Sequence, residues 1–502
     1  MILLVQNDLE YDTDLRAMIG AFFPAEKIKN AAPAELLDYS KEMYGEFRFI
    51  FTALYDGNNT RLRIEEKGHV LYSAYAYGDF KNRKRYKNKI KLASYRLLSE
   101  YTGRTLPWGS MTGMRPTKIA TGALEKNKVR NEIVDYYKLT YDASEEKALL
   151  ATLVAEKEQE IVKLFNPVTD YLLYIGIPFC PTRCLYCSFA AYPINEYESR
   201  VKDYIKALKQ ELPFISFLNR NRRLVAIYIG GGTPTSLSEE DLEDLMKCVN
   251  ESFDLKHLRE FTVEAGRPDS ITTQKLEIMK KLGCSRISIN PQSMNPSTLR
   301  TIGRGHTPAE IKWAMSEARK VGFKNVNMDI IAGLPNENLE DMKYTLYEIQ
   351  KMAPESLTVH SLALKRASEL TQQYDMYRGA INHDIDAMVS LAGVQAKEMG
   401  MDPYYLYRQK NIAGNLENTG YAKKGKECIY NVMIMEEKLD TFAAGAGGIT
   451  RLLNLGTVDS KHVITRVDRV ENVKNVDEYI SRIDEMLERK SAGVNARTMP
   501  LE

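Results

Sequence analysis

The chain has 502 residues, 44% of them apolar and 27% charged, with a formal net charge of +2. That length allows two to four domains, and the composition is that of an ordinary globular protein. A charge this near zero gives no global field for nucleic acid or a membrane surface; six cysteines in so long a chain exclude a disulfide scaffold and fit a reducing cytoplasm.

The opening Met1–Asp8 has no basic lead and turns polar after five residues, so no signal peptide is expected. No stretch reaches the roughly 18–20 apolar residues that span a bilayer, and a cytoplasmic location without membrane partners is expected. Residues 1–165 read as one α+β accessory unit. Met1–Val5 and the alternating run Phe47–Leu54 have strand patterning, 56–59 is a turn, and Arg61–Glu65 and Val70–Tyr77 are the next strands. A basic helical segment follows through Leu98. Its Lys81, Arg83, Lys84, Arg85, Lys87, Lys89 and Lys91 have no acid among them. With Tyr86 they offer an arm for RNA, or else a solvated helix face whose long stems cover apolar surface. The near-zero net charge favours the solvated face. The segment 105–116, Thr-Leu-Pro-Trp-Gly-Ser-Met-Thr-Gly-Met-Arg-Pro, is too patterned for a linker, and Ala143–Phe165 has helical spacing.

From residue 171 strands and helices alternate. Strand candidates are Tyr171–Pro178, Leu224–Gly230, Glu260–Ala265, Arg286–Asn290, Asn325–Ile331 and Ser356–Leu362, with amphipathic helices near 197–212, 239–249, 273–281, 308–320 and 338–350. Short apolar runs separated by helices are the pattern of a parallel sheet covered on its outer face. Six such units make an incomplete (β/α)6 barrel in an α/β fold, with its chemistry at the carboxyl ends of the strands. The barrel is expected over 166–365, a smaller C-terminal α+β region over 366–490, and a disordered tail over 491–502. Within that region 368–420 reads as helical and polar, Cys428–Met435, Thr441–Ala446 and Ser460–Val467 as strands, and Val476–Lys490 as a helix.

Cys180, Cys184 and Cys187 follow the first barrel strand in a Cys-x-x-x-Cys-x-x-Cys loop. Iron–sulfur clusters normally take four thiolates, so three can hold three irons of a 4Fe–4S cubane and leave the fourth open to a small molecule. A closed zinc site needs four ligands, usually in close pairs, and here it would have to recruit Cys248 or His257 from far along the chain. Cys248, Cys284 and Cys428 read as buried thiols, and the methionines of 111–114 and 433–435 as core filler.

Further motifs follow in order: Gly230-Gly-Gly-Thr-Pro-Thr235, where glycines let the backbone approach a ligand; Glu264 in Val-Glu-Ala-Gly-Arg-Pro; Arg286-Ile-Ser-Ile-Asn-Pro-Gln292; Ile302-Gly-Arg-Gly-His-Thr307; Asp329 in Asn327-Met-Asp-Ile-Ile-Ala-Gly-Leu-Pro335; and Ala444-Gly-Ala-Gly-Gly-Ile-Thr450. With the cysteines, these resemble the radical S-adenosylmethionine (SAM) superfamily over roughly residues 165–455. Within it they are most similar to the oxygen-independent coproporphyrinogen III dehydrogenase family, in its HemZ-type branch. The resemblance implies a 4Fe–4S cluster on Cys180, Cys184 and Cys187, and SAM chelated to the open iron. Reduction of the cluster would then cleave SAM to a 5′-deoxyadenosyl radical.

The resemblance also implies the SAM contacts. Gly231, Gly232 and Thr233 would meet its amino group and Glu264 a ribose hydroxyl. Gln292 and Arg304 would meet the nucleoside and carboxylate, an arginine fork donating two parallel hydrogen bonds. Asp329 would lie near the ligand, Ile449 against adenine, and Tyr174 and Tyr186 against the methionine and adenine portions. The implied reaction in haem biosynthesis converts two propionates of coproporphyrinogen III to vinyl groups, giving protoporphyrinogen IX, with an electron donor to the cluster and an electron acceptor. Lys365, Arg366, Arg408 and Lys410 are cations that can meet the propionates of this tetrapyrrole substrate, His360 is a candidate substrate contact, and His306 has a local hydrogen-bonding role.

Three positions depart from the family pattern. Gly266 and Arg267 replace Asn-Pro, Gly176 replaces a common histidine, and Ser188-Phe189 follows Cys187 where a fourth cysteine is usual in the dehydrogenases. The last form is shared with haem chaperones. A haem-binding chaperone, or a radical SAM enzyme acting on another substrate such as RNA, is therefore the alternative. The N-terminal unit is a candidate for presenting substrate or a partner and for excluding water and oxygen.

Overall fold

A computed structural model describes residues 1–24, 26–35, 46–113, 115–188, 191–365, 367–373, 377, 384–409, 412–458 and 461–497. Arg366 and Lys410 of the candidate cations, with Met114, Phe189, Ser460 and 498–502, lie outside the described residues. The chain divides into two compact units, Met1–Glu156 with Ser361–Lys365 and Leu406–Asn418, and Lys157–His360 with Arg366–Tyr405 and Thr419–Glu502. This two-part division differs from the expected boundaries at 165, 365 and 490.

In the first unit, β1 (Ile2–Gln6) lies between β2 (Ile28–Ala31) and β3 (Phe49–Asp56), parallel to both, and β4 (Asn59–Glu66) and β5 (His69–Tyr77) extend the sheet antiparallel. Inward residues of the strands, Leu4, Phe49, Phe51, Leu62 and Ile64, pack against Leu15, Ile19, Ile90 and Leu98 of helices Asp12–Phe22 and Arg83–Thr102. The basic run occupies the start of the second helix. Arg83 pairs with Glu10 at 2.7 Å, while Lys87 and Lys91 face Asp14 at 3.8 and 4.0 Å. Tyr86 is buried and shares a 2.7 Å hydrogen bond with Thr60. Glu10 and Asp14 thus offset part of the run, and Tyr86 belongs to the core.

Burial, with only Asp14 opposing it strongly, pushes the Lys91 ammonium down to about 8. The folded protein then binds fewer protons here than the unfolded chain between about pH 8 and 10.5, so stability rises with pH through that window. We expect the midpoint of urea unfolding, followed by Trp108 fluorescence in a Trp313→Phe background, to climb over that range, and Lys91→Met to remove the climb.

Much of the segment 105–116 is core, not linker, with Leu106, Trp108, Ser110 and Met111 buried. Trp108 is fully buried and its Nε1 donates to Glu417 at 2.6 Å, a carboxylate that also takes Lys147 Nζ at 2.8 Å. Gly109 has φ +53°, and a Cβ there would lie 2.0 Å from the Tyr141 carbonyl oxygen, so no side chain fits. Arg408 is buried, donates to the Met111 carbonyl at 2.8 Å and lies 5.6 Å over the Trp108 ring. Its guanidinium is committed to this core, which corrects its candidacy as a propionate contact.

The second unit is built on one sheet. Its strands are β6 (Asp170–Ile177), β9 (Arg223–Gly231), β10 (Glu260–Glu264), β11 (Arg286–Ser288), β12 (Val326–Ala332), β13 (Ser356–Ser361), β14 (Asp402–Tyr407), β15 (Asn418–Ala422), β16 (Asp440–Ala444), β17 (Ile449–Val458) and β18 (Lys461–Glu471); a separate two-strand pair joins β7 (Phe179–Cys180) to β8 (Tyr192–Pro193). The order is β14-β15-β13-β12-β11-β10-β9-β6-β16-β17-β18. Pairing is parallel from β16 through β6, β9, β10 and β11 to β12. The sheet ends on two different strands, so the barrel is incomplete. Helices Ile194–Leu218, Glu239–Ser252, Thr273–Lys281, Pro308–Val321 and Leu339–Met352 alternate with its strands.

Several elements depart from expectation, beginning with the stretch 368–420, read as helical, which contains strand β14 and the start of β15. The run expected as a strand over Cys428–Met435 is the helix Ile429–Glu436. Glu260 decides it: one carboxylate oxygen accepts from Ile429 N at 2.8 Å and the other from Tyr430 N at 3.2 Å, satisfying donors that a helix N-terminus leaves open. The helix expected over Val476–Lys490 breaks at Arg482, and its second part, Ile483–Ala496, runs past the expected start of a disordered tail at 491. Strand β17 pairs with β16 and β18 and has no counterpart in the sequence reading.

Candidate functional site

The cysteine loop leaves β6 at the carboxyl edge of the sheet. Gly232 N donates to Ile177 O at 2.8 Å and Thr233 N to Phe179 O at 2.7 Å, so the glycine-rich end of β9 is tied to the chain leading into Cys180. A Cβ on Gly232 would lie 2.5 Å from the Phe179 carbonyl oxygen; glycine is required for the two loops to approach. Cys180 Sγ sits 3.5 Å from Thr233 Oγ1. Leu185 N donates to Ile302 O at 3.0 Å and Cys187 N to Cys184 O at 3.0 Å.

Burial pushes the Cys180 thiol up to about 11, the Thr233 hydroxyl opposes this, and Cys187 and Cys184 add to it. Cys180 therefore feels both of the other sulfurs. None of the three is in a disulfide among the described residues, and they stand together at one loop after the first parallel strand. Among the described residues, no three His, Cys, Asp or Glu side chains gather around a single ion position. A cubane does not require that, because each thiolate binds its own iron. This donor set fits a three-thiolate cluster, and the ligands must lose their protons on loading. Cys248, Cys284 and Cys428 are buried on other elements.

Beyond the loop, Glu264 ends β10 with one carboxylate oxygen accepting from Tyr228 OH at 2.5 Å and the other from Gly231 N at 3.2 Å. Burial pushes its carboxyl up to about 7, against the Tyr228 hydrogen bond, and the charge of Asp329 adds to the rise. The two carboxylates thus share one interior. Asp329 accepts from Asn327 Nδ2 at 2.6 Å and faces His360 Nε2 at 3.8 Å; burial raises its carboxyl, but these partners outweigh burial and hold it low. Tyr174, Tyr228 and Tyr430 stack beside Glu264, with centroids 6.3 Å apart for the first pair and 4.7 Å for the second.

Gln292 is buried at φ +64°, a conformation that costs a non-glycine residue and concentrates at ligand sites. Its N donates to Asp329 O at 2.9 Å and its O accepts from Ile331 N at 3.1 Å, which carries it onto β12. Arg304 donates to Tyr186 OH at 3.0 Å and Gly266 O at 3.3 Å. The structure brings together the Cys180 loop, Gly231, Gly232, Thr233, Tyr174 and Glu264, then Gln292 with Asp329, then Arg304 with Tyr186. Ile449 stands apart: it opens β17, two strands from β6, and is 36% exposed.

Sequence reading missed three contributors. Tyr228 pairs in register with Tyr174, and its place two residues before Gly230 was the available signal, since alternate strand residues share a face. Tyr430 arrives on the helix expected as a strand. Arg267 was visible only as a departure from a family motif.

Comparison with known proteins gives the family. Residues 174–348 match the model of the Radical SAM superfamily, whose cofactors are a 4Fe–4S cluster and SAM. The chain is 39% identical over 411 residues, 81% of its own length and of the relative's, to the oxygen-independent coproporphyrinogen-III oxidase-like protein HemZ of Bacillus subtilis. It is 31% identical to the heme chaperone HemW of the same organism, over 64% of this chain and 84% of that one. The crystal structure of coproporphyrinogen III oxidase (HemN) from Escherichia coli matches with a TM-score of 0.51 at 21% identity, over 65% of this chain and 72% of that chain, and so shares its fold. On these grounds the chain belongs to the radical SAM superfamily and, within it, to the HemZ-type coproporphyrinogen oxidase-like family.

Proposed function

We propose that this protein oxidatively decarboxylates coproporphyrinogen III to protoporphyrinogen IX. The observation that carries the reading is the 39% identity with an oxidase-like relative across 81% of both chains, with the matched motifs converging on one sheet edge. In this reading Cys180, Cys184 and Cys187 hold the 4Fe–4S cluster. Bound there, the cluster supplies the electron that cleaves SAM to a carbon radical. Main-chain groups of Gly231–Thr233 receive the amino group of SAM, Arg304 its carboxylate, and Glu264 accepts from a ribose hydroxyl. The Asp329–His360 pair fixes charge at the sixth-strand end of the interior. Turning a propionate into a vinyl group removes one hydrogen atom, one electron and carbon dioxide, so the reaction calls for an electron donor to the cluster and a separate acceptor.

Anaerobic reconstitution with iron and sulfide, then incubation with SAM, dithionite, an added one-electron acceptor and coproporphyrinogen III, tests the reading. We expect 5′-deoxyadenosine and protoporphyrinogen IX together. SAM cleavage with the tetrapyrrole untouched would refute the substrate. The second reading, a haem chaperone, is favoured by the 31% identical relative of that name and by Ser188 after Cys187; tight haem binding without protoporphyrinogen formation would establish it.

The raised Glu264 carboxyl gives a pH signature. With its pKa at about 7, the group gains a proton below that pH and becomes a weaker acceptor for the ribose hydroxyl. SAM affinity, measured calorimetrically on the reconstituted protein, is expected to fall as pH drops below 7, by at most about ten-fold per pH unit. Glu264→Gln is expected to bind more weakly at pH 8 and to show no such slope.

A further inference from the structure

We propose that Arg267 is a positioning residue of the cysteine loop, holding it in ligating shape before iron arrives and donating an N–H to the Cys184 sulfur. The proposal rests on the reading of Cys180, Cys184 and Cys187 as cluster ligands. Arg267 stands three residues beyond Glu264 and is 3% exposed. A buried guanidinium must place its donors, and its fork is rigid. Nε and Nη2 take the two oxygens of Asp269 at 3.0 and 2.6 Å. That bidentate pair aims Nη1 at the cysteine loop, where it meets Thr182 O at 3.0 Å, Thr182 Oγ1 at 2.8 Å and Cys184 Sγ at 3.8 Å.

The surroundings hold this geometry. Asp269 balances the charge, while the adjacent His306, 3.9 Å from it, is pushed down to about 4 by burial and by Arg304, and is neutral at pH 7. A Cβ on Gly305 would lie 2.9 Å from Asp269 Oδ2 and 3.5 Å from Arg267 Nη2, so a side chain there would displace the pair. Leu185 N and Cys187 N anchor the second half of the loop through Ile302 O and Cys184 O; Arg267 anchors the first half. Hydrogen bonds to ligating sulfurs help set cluster potential, and a cationic donor favours the more negative, reduced state. Arg267 thus makes one-electron reduction by an external donor easier.

Hydrogen exchange on the iron-free, full-length protein reads the anchoring without any cluster. In Arg267→Gln, exchange at the Leu185 and Cys187 amides is expected to speed up at least about ten-fold, the factor matching 1.4 kcal/mol of lost loop stability. Ile227 in β9 is expected to be unchanged, which excludes global unfolding. Arg267→Lys keeps the charge but not the fork and is expected to loosen the loop as well. In reconstituted protein titrated with dithionite and followed by electron paramagnetic resonance, the midpoint of Arg267→Gln is expected to be more negative than that of the parent. Unchanged exchange at both amides would overturn the anchoring, and an unchanged midpoint would overturn the sulfur contact. Failure of the underlying reading looks different: Cys184→Ala would keep its full iron content and brown colour.

Discussion

Lys490→Ala is expected to destabilise the barrel unit by about 3–5 kcal/mol, the cost of leaving a buried charge without its partner. Lys490 and Glu211 both have fully buried side chains, and the lysine donates to Glu211 at 2.5 Å and to Asn472 at 2.6 Å. The same carboxylate accepts from Gly445 N at 2.8 Å, Tyr479 OH at 2.6 Å and Asn472 Nδ2 at 2.8 Å. Helix Ile194–Leu218, the glycine-rich segment after β16 and the last helix therefore meet on one carboxylate. Gly445 adds a steric reason, since at φ +97° its Cβ would lie 2.5 Å from Gly176 O. Urea unfolding followed by circular dichroism checks the loss. Arg482→Ala is the control: its pairs with Glu478 and Glu485 are exposed, and such pairs contribute about 0–1 kcal/mol. The double change Glu211→Leu with Lys490→Met is expected to recover much of the stability, because replacing both members of a buried pair removes the orphaned charge.

Glu417→Ala is expected to cost up to about 3–5 kcal/mol in the first unit, because it removes the buried partner of the Lys147 ammonium, leaving the exposed Glu146 at 3.1 Å, and also the acceptor of the Trp108 indole N–H. Trp108 fluorescence during urea unfolding, in the Trp313→Phe background, reads this loss. The pair also sets an acid limit. Burial raises the Glu417 carboxyl, but Lys147, Trp108 and Arg408 outweigh it and hold its pKa below the usual value. The folded protein then binds fewer protons than the unfolded chain, so the contribution is complete above the ordinary carboxylate range and is lost as pH falls through the lowered value. Unfolding midpoints of the parent are expected to drop below about pH 4, while those of Glu417→Gln lose that step.

The cysteine spacing, the three glycines before Thr233 and the six alternating strand–helix units were legible because each is a local pattern. A parallel strand reads as a continuous apolar run, and a cluster loop needs its ligands close in sequence. Cys428–Met435 was not legible. Its eight residues are almost wholly apolar, without the period that separates a strand from a buried helix. The choice falls to Glu260, 168 residues earlier than Cys428. Tyr430 reaches the tyrosine stack only because of that choice. Trp108 and Glu417 are likewise 309 residues apart, and Arg408, which looked like a free cation, is held by that same core.

By itself the amino-acid order determined which cofactor this protein is built for, because the cysteine spacing and the motifs around it are local patterns of residue type. The tertiary structure alone decided which charges are spent inside. Arg267 on the cysteine loop, Lys490 on Glu211 and Lys147 on Glu417 carry no local mark of burial in the sequence. Inside the protein a charge must find a partner, and only the fold determines which distant carboxylate, carbonyl or sulfur lies within reach.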